Sequence, residues 1–472
     1  MSLLYERVAE SLRVQIRRGV LRAGERLPSL RRIGRQQQVS LATAVEAYVQ
    51  LEREGLVESR ARSGYYVRST APPLSGSMPR AAPRSPRPMR NPALLGVLDV
   101  LTRSDLLPLH AATPSLDLLP AAGIAASVAR AMRRHRDAAL RYAAPQGHPD
   151  LRLQIARRYA QCGVDVDPDE IVVTAGAMEA ISLALRSVTR PGDVVLLETP
   201  TYYGLLQAVA ALGLRVVEVP NRAGAGIDAA QLVALLARHD VRAAVLVPNF
   251  NNPVGSLTGE ADKQAVVAAC ATRGVVLIED DLYGELAYSG QRPPPLRKFD
   301  RRGGVITCGS FSKTLAPGLR VGWALGARWT GELLRAKCFS SVATASLPQL
   351  AVADYLAHHD VDRPLRRLRR ELSANAQRWR EAIARHWPAG TRVSEPAGGM
   401  ALWLELADGV EGRALFEAAL EQGIGTLPGE LFSNRDDYRH HLRLSCGLRW
   451  DAKMEQALRA LGATADRLRR RK

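Results

Sequence analysis

Between residues 171 and 325 the sequence repeats one alternation: a short β-branched or aliphatic run, then a stretch whose apolar residues fall at helical spacing. The runs predict strands at Ile171–Thr174, Val194–Glu198, Arg215–Val219, Ala243–Val247, Val275–Ile278, Val305–Gly309 and Leu319–Leu325. Ala177–Ser187 and Lys263–Thr272 are among the helical stretches between them. This pattern implies an α/β fold, a mostly parallel sheet with helices on both faces. Ligands of such sheets sit at the carboxyl ends of the strands. The polar residues at those ends are therefore the ones to read for chemistry.

The chain of 472 residues is too long for one compact core. Its character changes at residues 69–105, where STAPPLSGSMPRAAPRSPRPMRNP is rich in Pro, Ser and Arg and has almost no apolar periodicity. Such a stretch cannot bury a core and reads as a semi-extended linker. It separates a head, residues 1–68, from a body, residues 106–472. No apolar run approaches a membrane span, and the first residues mix acids with bases and lack the apolar block of a signal peptide, so the expected location is the cytoplasm. The five cysteines are widely spaced with no CxxC pair, which gives no metal site and predicts reduced thiols. The net charge of +18 permits contact with nucleic acid. The head alone holds thirteen Arg and seven Glu with no Lys or Asp. The basic tail from Arg467 to Lys472 reads as a solvated end.

In the head, Leu4, Val8, Leu12 and Ile16 recur every four residues and give one helical stripe. Ser29 can cap a second helix from Leu30 to about Gln37, and Ser40 a third to about Glu54, with Ala44, Ala47, Tyr48 and Leu51 on its apolar face. LVES, the turn RARSG and YYV then form two short strands. Three helices followed by such a hairpin make a winged helix-turn-helix. The capped N-terminus of the third helix, with Ser40 and Thr43, suits a DNA groove. Arg31, Arg32 and Arg35, and Arg60 and Arg62 in the wing, are placed to meet phosphate or the minor groove. A small protein-interaction module is the other reading of this pattern. The pieces LRAGERLPSLR, VSLATAVEAY, LEREGLVE and SGYYV resemble the GntR-type DNA-binding domain along its whole length. Many members of that family carry Arg after the capping Ser. Here Leu41 stands there, free to meet a thymine methyl or to pack.

In the body, SFSKTLAPGLRVGW follows the strand VITCG. Lys313 lies beside Ser310 and Ser312, with Arg320 seven residues on: a lysine for a Schiff base with an aldehyde cofactor, and donors for a phosphate. Ser310 to Lys313 also fits the Ser-x-x-Lys of class A β-lactamases, but their companion motifs are missing from the sequence. Asp280 ends VVLIED, suited to keep a pyridine nitrogen protonated. Tyr283 and, in PNFNNPVG, Asn252 can hold a ring oxygen. Tyr202 in PTYYG offers an aromatic face. Gly176, Ala177 and Met178 stand at a strand-to-helix turn whose N–H groups would face a phosphate. Arg443 in HLRLSCG suits bidentate capture of a carboxylate. Each residue alone has a structural explanation, as a cap, a turn or an ion pair; the set in this order, each beside a strand end, points to pyridoxal phosphate.

From about residue 107 the body resembles a class I/II aminotransferase of fold type I, on its Asn-Pro-x-Gly, Asp-x-x-Tyr and Ser-x-Ser-Lys motifs in this order. The resemblance implies that Lys313 bonds the cofactor, Asp280 partners the pyridine nitrogen, Asn252 and Tyr283 bind the ring oxygen, Ser310, Ser312 and Arg320 bind the phosphate, and Arg443 binds the substrate carboxylate. It implies too that Tyr142, in RYAAPQG, reaches the phosphate of a neighbouring subunit. The large part would span about 141–330, and a smaller α+β part about 106–140 and 331–472. Head and body together resemble the MocR/GabR-type regulators. That likeness implies a homodimer, two heads on two half-sites of double-stranded DNA, and a body that senses pyridoxal phosphate or its adduct with a small amine or amino acid. A working aminotransferase with a DNA-binding domain, and a repressor whose body only dimerises, are the alternatives.

Overall fold

The computed structural model describes residues 4–17, 20–60, 63–68, 85–88, 100, 102–435 and 437–470. In the head, α1 (Leu4–Arg17), α2 (Leu30–Gln37) and α3 (Leu41–Arg53) precede a hairpin of β1 (Val57–Arg60) and β2 (Gly64–Val67). The pair is antiparallel, with Val57 opposite Val67. The stripe on α1 turns inward: Val8 and Leu12 pack with Ala44, Ala47, Tyr48 and Leu51 of α3 and with Val57 and Val67 of the hairpin. Ser29 Oγ accepts from the Arg32 N–H at 3.3 Å and Ser40 Oγ from the Thr43 N–H at 3.1 Å, so both capping serines start their helices. Arg62 lies outside the described residues.

The large sheet runs β3 (Arg87–Pro88), β6 (Arg215–Arg222), β5 (Val194–Thr199), β8 (Val241–Leu246), β9 (Val276–Asp280), β10 (Val305–Ser310), β11 (Gly322–Leu325), β4 (Ile171–Thr174), with β7 (Gly226–Ile227) paired to β6. From β6 through β10 the strands are parallel. Their residues are buried almost throughout, which is why the sequence shows aliphatic runs rather than alternation. The strand expected at Leu319–Leu325 begins only at Gly322. Pro317–Leu319 is instead a 3-10 turn that ends on Arg320 in the left-handed region, φ 51°. No crossover helix separates β10 from β11, so β11 returns antiparallel and β4 closes the far edge, also antiparallel. After β6 the chain passes back over β5 to β8, and the loops that leave β5 and β8 part there. This is the switch point at which open α/β sheets take ligands.

The Pro-rich segment is partly drawn into the body. Arg87 and Pro88 pair antiparallel with Val216 and Arg215 as the outermost strand, and Val100 is buried with Leu106, Trp403 and Phe432. A proline there is tolerated because an edge strand need not donate on both sides.

A second, antiparallel sheet of β12 (Arg392–Val393), β13 (Ala401–Glu405), β15 (His441–Ser445) and β14 (Leu427–Pro428) packs with the helices Asp362–His386 and Ala452–Arg470. The 25-residue helix Asp362–His386 lays Leu365, Leu368, Leu372, Trp379 and Ile383 into that core and turns arginines outward. Its middle also meets the head: Gln377 Nε2 donates to the Gly55 carbonyl at 3.1 Å, and Arg68 pairs with Glu381 at 3.1 Å. Among the described residues no helix is long and apolar enough to cross a membrane, and no group of His, Cys, Asp or Glu is placed to hold a metal.

Candidate cofactor and effector site

A cavity of about 320 Å³ opens at the carboxyl ends of the large sheet. Its wall gathers Ala177, Met178, Tyr202, Asn252, Asp280, Tyr283, Ser310, Ser312, Lys313, Arg320 and Arg443. Eleven residues singled out in the sequence thus share one space, although they are spread from position 177 to 443.

Local structure explains each placement. Asp280 is the last residue of β9 and Ser310 the last of β10, so the pleat delivers both side chains to the sheet's rim. After Ser310 the chain tightens into a 3-10 turn, Phe311–Lys313, capped by the Ser310 hydroxyl, which accepts from the Ser312 N–H at 3.1 Å. The two serine hydroxyls lie 2.8 Å apart. Arg320 reaches toward them, with Nη1 3.4 Å from Ser312 Oγ and Nη2 donating to the Ala175 carbonyl at 2.8 Å. Gly176 caps the helix Ala177–Val188 at φ +101°, and a Cβ on it would stand 2.5 Å from Arg320 Nη2. Only glycine gives that helix N-terminus and the guanidinium this close approach. The result is a cup of hydroxyls, one guanidinium and a helix N-terminus, the donor set a phosphate needs.

Electrostatics set the rest. Burial pushes the Asp280 carboxyl up to about 7, against the pull of the Leu282 N–H and of Lys313. Burial lowers Lys313 to about 8, with Arg443 and Arg320 adding to the effect and Asp280 opposing it; its Nζ donates to the Ala112 carbonyl at 2.6 Å. Arg443 is 1% exposed, and burial lowers its pKa. One of its nitrogens donates to the His110 carbonyl, while Nε and Nη1 are buried without a partner. Asn252 Oδ1 is likewise buried and unpartnered, beside the Tyr283 phenol. Buried orphan donors are costly, so a guanidinium with two of them is a site waiting for an acceptor. Pyridoxal phosphate fits this set: a lysine near neutrality, a carboxyl opposite, an amide whose N–H₂ and a phenol whose O–H can donate to a ring oxygen, and the phosphate cup.

Tyr142 is not in the wall; its side chain is 89% exposed. The sequence reading missed His110, Ala112 and Tyr203 in the wall. The first two act through backbone carbonyls 333 and 201 residues from their partners, for which no local pattern exists. Tyr203, its ring 4.5 Å from that of Tyr202, was legible as the second tyrosine of the same motif. Also missed was Glu198, fully buried, which accepts from Asn221, Asn251 and the Val247 N–H and so braces the loop that carries Asn252.

In the head, Arg31, Arg32, Arg35, Ser40 and Arg60 are exposed and Thr43 is half-buried. Leu41 is 52% exposed and lies outside the apolar core of the head. Ser40 Oγ and Thr43 are bound to each other, and Arg60 lies over the Tyr66 ring at 4.3 Å.

Residues 112–461 match the family model of aminotransferase class I and II, and residues 4–67 that of bacterial regulatory proteins of the gntR family. The HTH-type transcriptional regulator YdcR of Escherichia coli is 37% identical over 97% of this chain and 98% of its own length. The probable rhizopine catabolism regulatory protein MocR of Rhizobium meliloti is 26% identical over 90% of this chain and 86% of its own. Among solved structures, LysN of Thermus thermophilus, an alpha-aminoadipate aminotransferase complexed with N-(5'-phosphopyridoxyl)-L-leucine, superposes with a TM-score of 0.74 at 31% identity, covering 81% of this chain and 96% of that one. The fold so matched implies pyridoxal phosphate as the cofactor. The chain belongs to the MocR/GabR-type transcriptional regulators, in which a GntR-family DNA-binding domain is joined to a body of the aminotransferase class I and II family.

Proposed function

We propose that this regulator senses pyridoxal phosphate, or its adduct with a small amine or amino acid, and answers by changing how its heads sit on DNA. The observation that carries the reading is Arg443: a buried guanidinium with two free donors, in the same cavity as a complete cofactor set. Lys313, Asp280, Asn252, Tyr283, Tyr202, Ser310, Ser312, Arg320 and the turn at Gly176 to Met178 would hold the cofactor. When bound, it supplies an aldehyde for an incoming amine and a ring that withdraws electrons. Asp280 keeps the proton on the pyridine nitrogen. Lys313, lowered to about 8, offers a neutral amine to a proton at the substrate Cα in a useful fraction of molecules. Arg443 orients the carboxylate of an amino acid effector. Tyr142 completes the phosphate cup of a partner subunit in a cytoplasmic homodimer.

On the DNA side, α3 enters the major groove with Ser40, Leu41 and Thr43 leading, and Arg31, Arg32, Arg35, Arg60 and Arg62 meet the backbone. Two heads take two half-sites. A sensor works only if its ligand binds the two arrangements differently. The deciding experiment measures binding of the pure protein to its own upstream DNA, with and without pyridoxal phosphate, at fixed salt. Specific binding that changes with cofactor or amine in the native protein, and not in Lys313→Ala, is the expected result. Specific binding indifferent to both overturns the sensor. The second reading, a working aminotransferase, draws on the same complete set of residues and is separated by sustained keto-acid formation from an amino donor.

A further inference from the structure

A second cavity, of about 650 Å³, lies between head and body and shares no lining residue with the cofactor cavity. One wall is the end of α3, Glu52 to Gly55, with Arg68; the other is the outward face of the helix Asp362–His386. Its lining carries seven arginines against three glutamates. All three acids are already engaged. Glu54 pairs with Arg13 at 2.7 Å, Glu395 with Arg380 at 3.0 Å, and Glu52 accepts the Ser59 N–H at 2.8 Å. The bases are not. Among the described residues Arg366, Arg370 and Arg378 have no carboxylate within 4 Å and donate no hydrogen bond. Arg380 is 6% exposed, and its Nε is buried without an acceptor although its other end is paired. Arg68 Nε is also buried without a hydrogen-bond acceptor, its nearest Glu58 oxygen 4.0 Å away, although its other end is paired with Glu381.

Gathering cations in one cleft costs mutual repulsion, and a buried guanidinium N–H without an acceptor costs more. An anion with several oxygens relieves both, and the planar forks of arginine match phosphate oxygens in pairs. The volume exceeds what a single phosphate needs and falls in the range of small-molecule sites. We propose that this cleft binds an anion bearing two or more phosphate groups, and that its occupant ties the head to the body. Two sources share this chemistry: a free phosphorylated small molecule, or the backbone of DNA already held by the head.

The test uses the full chain loaded with pyridoxal phosphate, so that the cofactor's own phosphate cup is filled. Pyrophosphate is titrated calorimetrically at constant ionic strength. Saturable binding, weakened roughly tenfold or more in Arg366→Gln/Arg370→Gln and in Arg378→Gln, is the expected result. The visible absorbance of the bound cofactor should stay unchanged in each variant, which shows that the body remains folded. Arg378→Lys should lose less than Arg378→Gln. Absence of saturable binding to the native chain overturns the proposal, as does equal affinity in native and variant chains. Where binding is found, non-operator duplex DNA that displaces pyrophosphate marks the DNA backbone as the source; duplex that binds alongside it marks a free anion. Neither result bears on whether the body senses pyridoxal phosphate.

Discussion

A carboxyl held up to about 7 by burial has a thermodynamic signature. The unfolded chain releases the Asp280 proton near pH 4, the folded cofactor-free chain only near 7. Between those values the folded state binds the extra proton. The stabilisation is therefore full below about pH 4 and is lost as pH rises through about 7. Cofactor-free Asp280→Asn should lose less thermal stability between pH 5 and 8 than the native chain. Glu198 and Glu279, also raised to about 7 chiefly by burial, remain in both proteins, so the difference reports the loss of the Asp280 proton together with the smaller response of Glu198 and Lys313 to its charge. Parallel curves of melting temperature against pH would remove the assigned shift. Gly176→Ala sets a Cβ where Arg320 stands and strains a φ of +101°. The variant should hold pyridoxal phosphate about tenfold or more less tightly, measured by equilibrium dialysis, with near-native ellipticity. At this scale the sequence was informative wherever side-chain type dictates chemistry, as at Lys313, Asp280 and Arg443. It was silent where backbone does the holding, as at His110 and Ala112.

Elements were legible to the degree that their reasons were local. The caps at Ser29 and Ser40, the stripe on α1 and the aliphatic runs of β5, β8 and β10 depend on neighbours in sequence, and the structure has helices and strands there within a few residues. The start of β11 was not legible, because Val321 continues an apolar run while Arg320 turns left-handed to reach Ser312. That turn is set by a partner from another element. Nor did composition reveal the pairing of Arg87 and Pro88 with β6, since two residues carry no periodicity. One local cap lends itself to direct measurement. Ser40→Ala removes the acceptor for the Thr43 N–H and should cost about 1 kcal/mol of α3 stability. Hydrogen exchange of α3 amides in the full chain should then quicken by about fivefold. Operator affinity should fall with it, while exchange in the body stays unchanged.

At the scale of the whole molecule, the exposed Tyr142 gives the clearest experiment. Mixing Tyr142→Ala with Lys313→Ala subunits should regenerate, in each mixed dimer, one cavity with both an intact lysine and a partner's tyrosine. Tight cofactor retention absent from either parent should reappear in the mixture. Its failure to reappear would place Tyr142 outside the partner's site. The outline of the molecule, a basic head, a Pro-rich segment and an α/β body, was legible because composition changes sharply at residues 69 and 105. How head meets body was not, since Gln377 and Gly55 lie 322 residues apart. The outermost strand carries one more consequence. A sheet edge left bare is a template for pairing with another copy. By lying along β6, residues 87 and 88 keep that template covered. A body cut free at residue 106 would thus lose more than its DNA-binding partner. It should clump at concentrations where one beginning at residue 85 stays dispersed, so the boundary that looks natural from composition is the wrong place to cut.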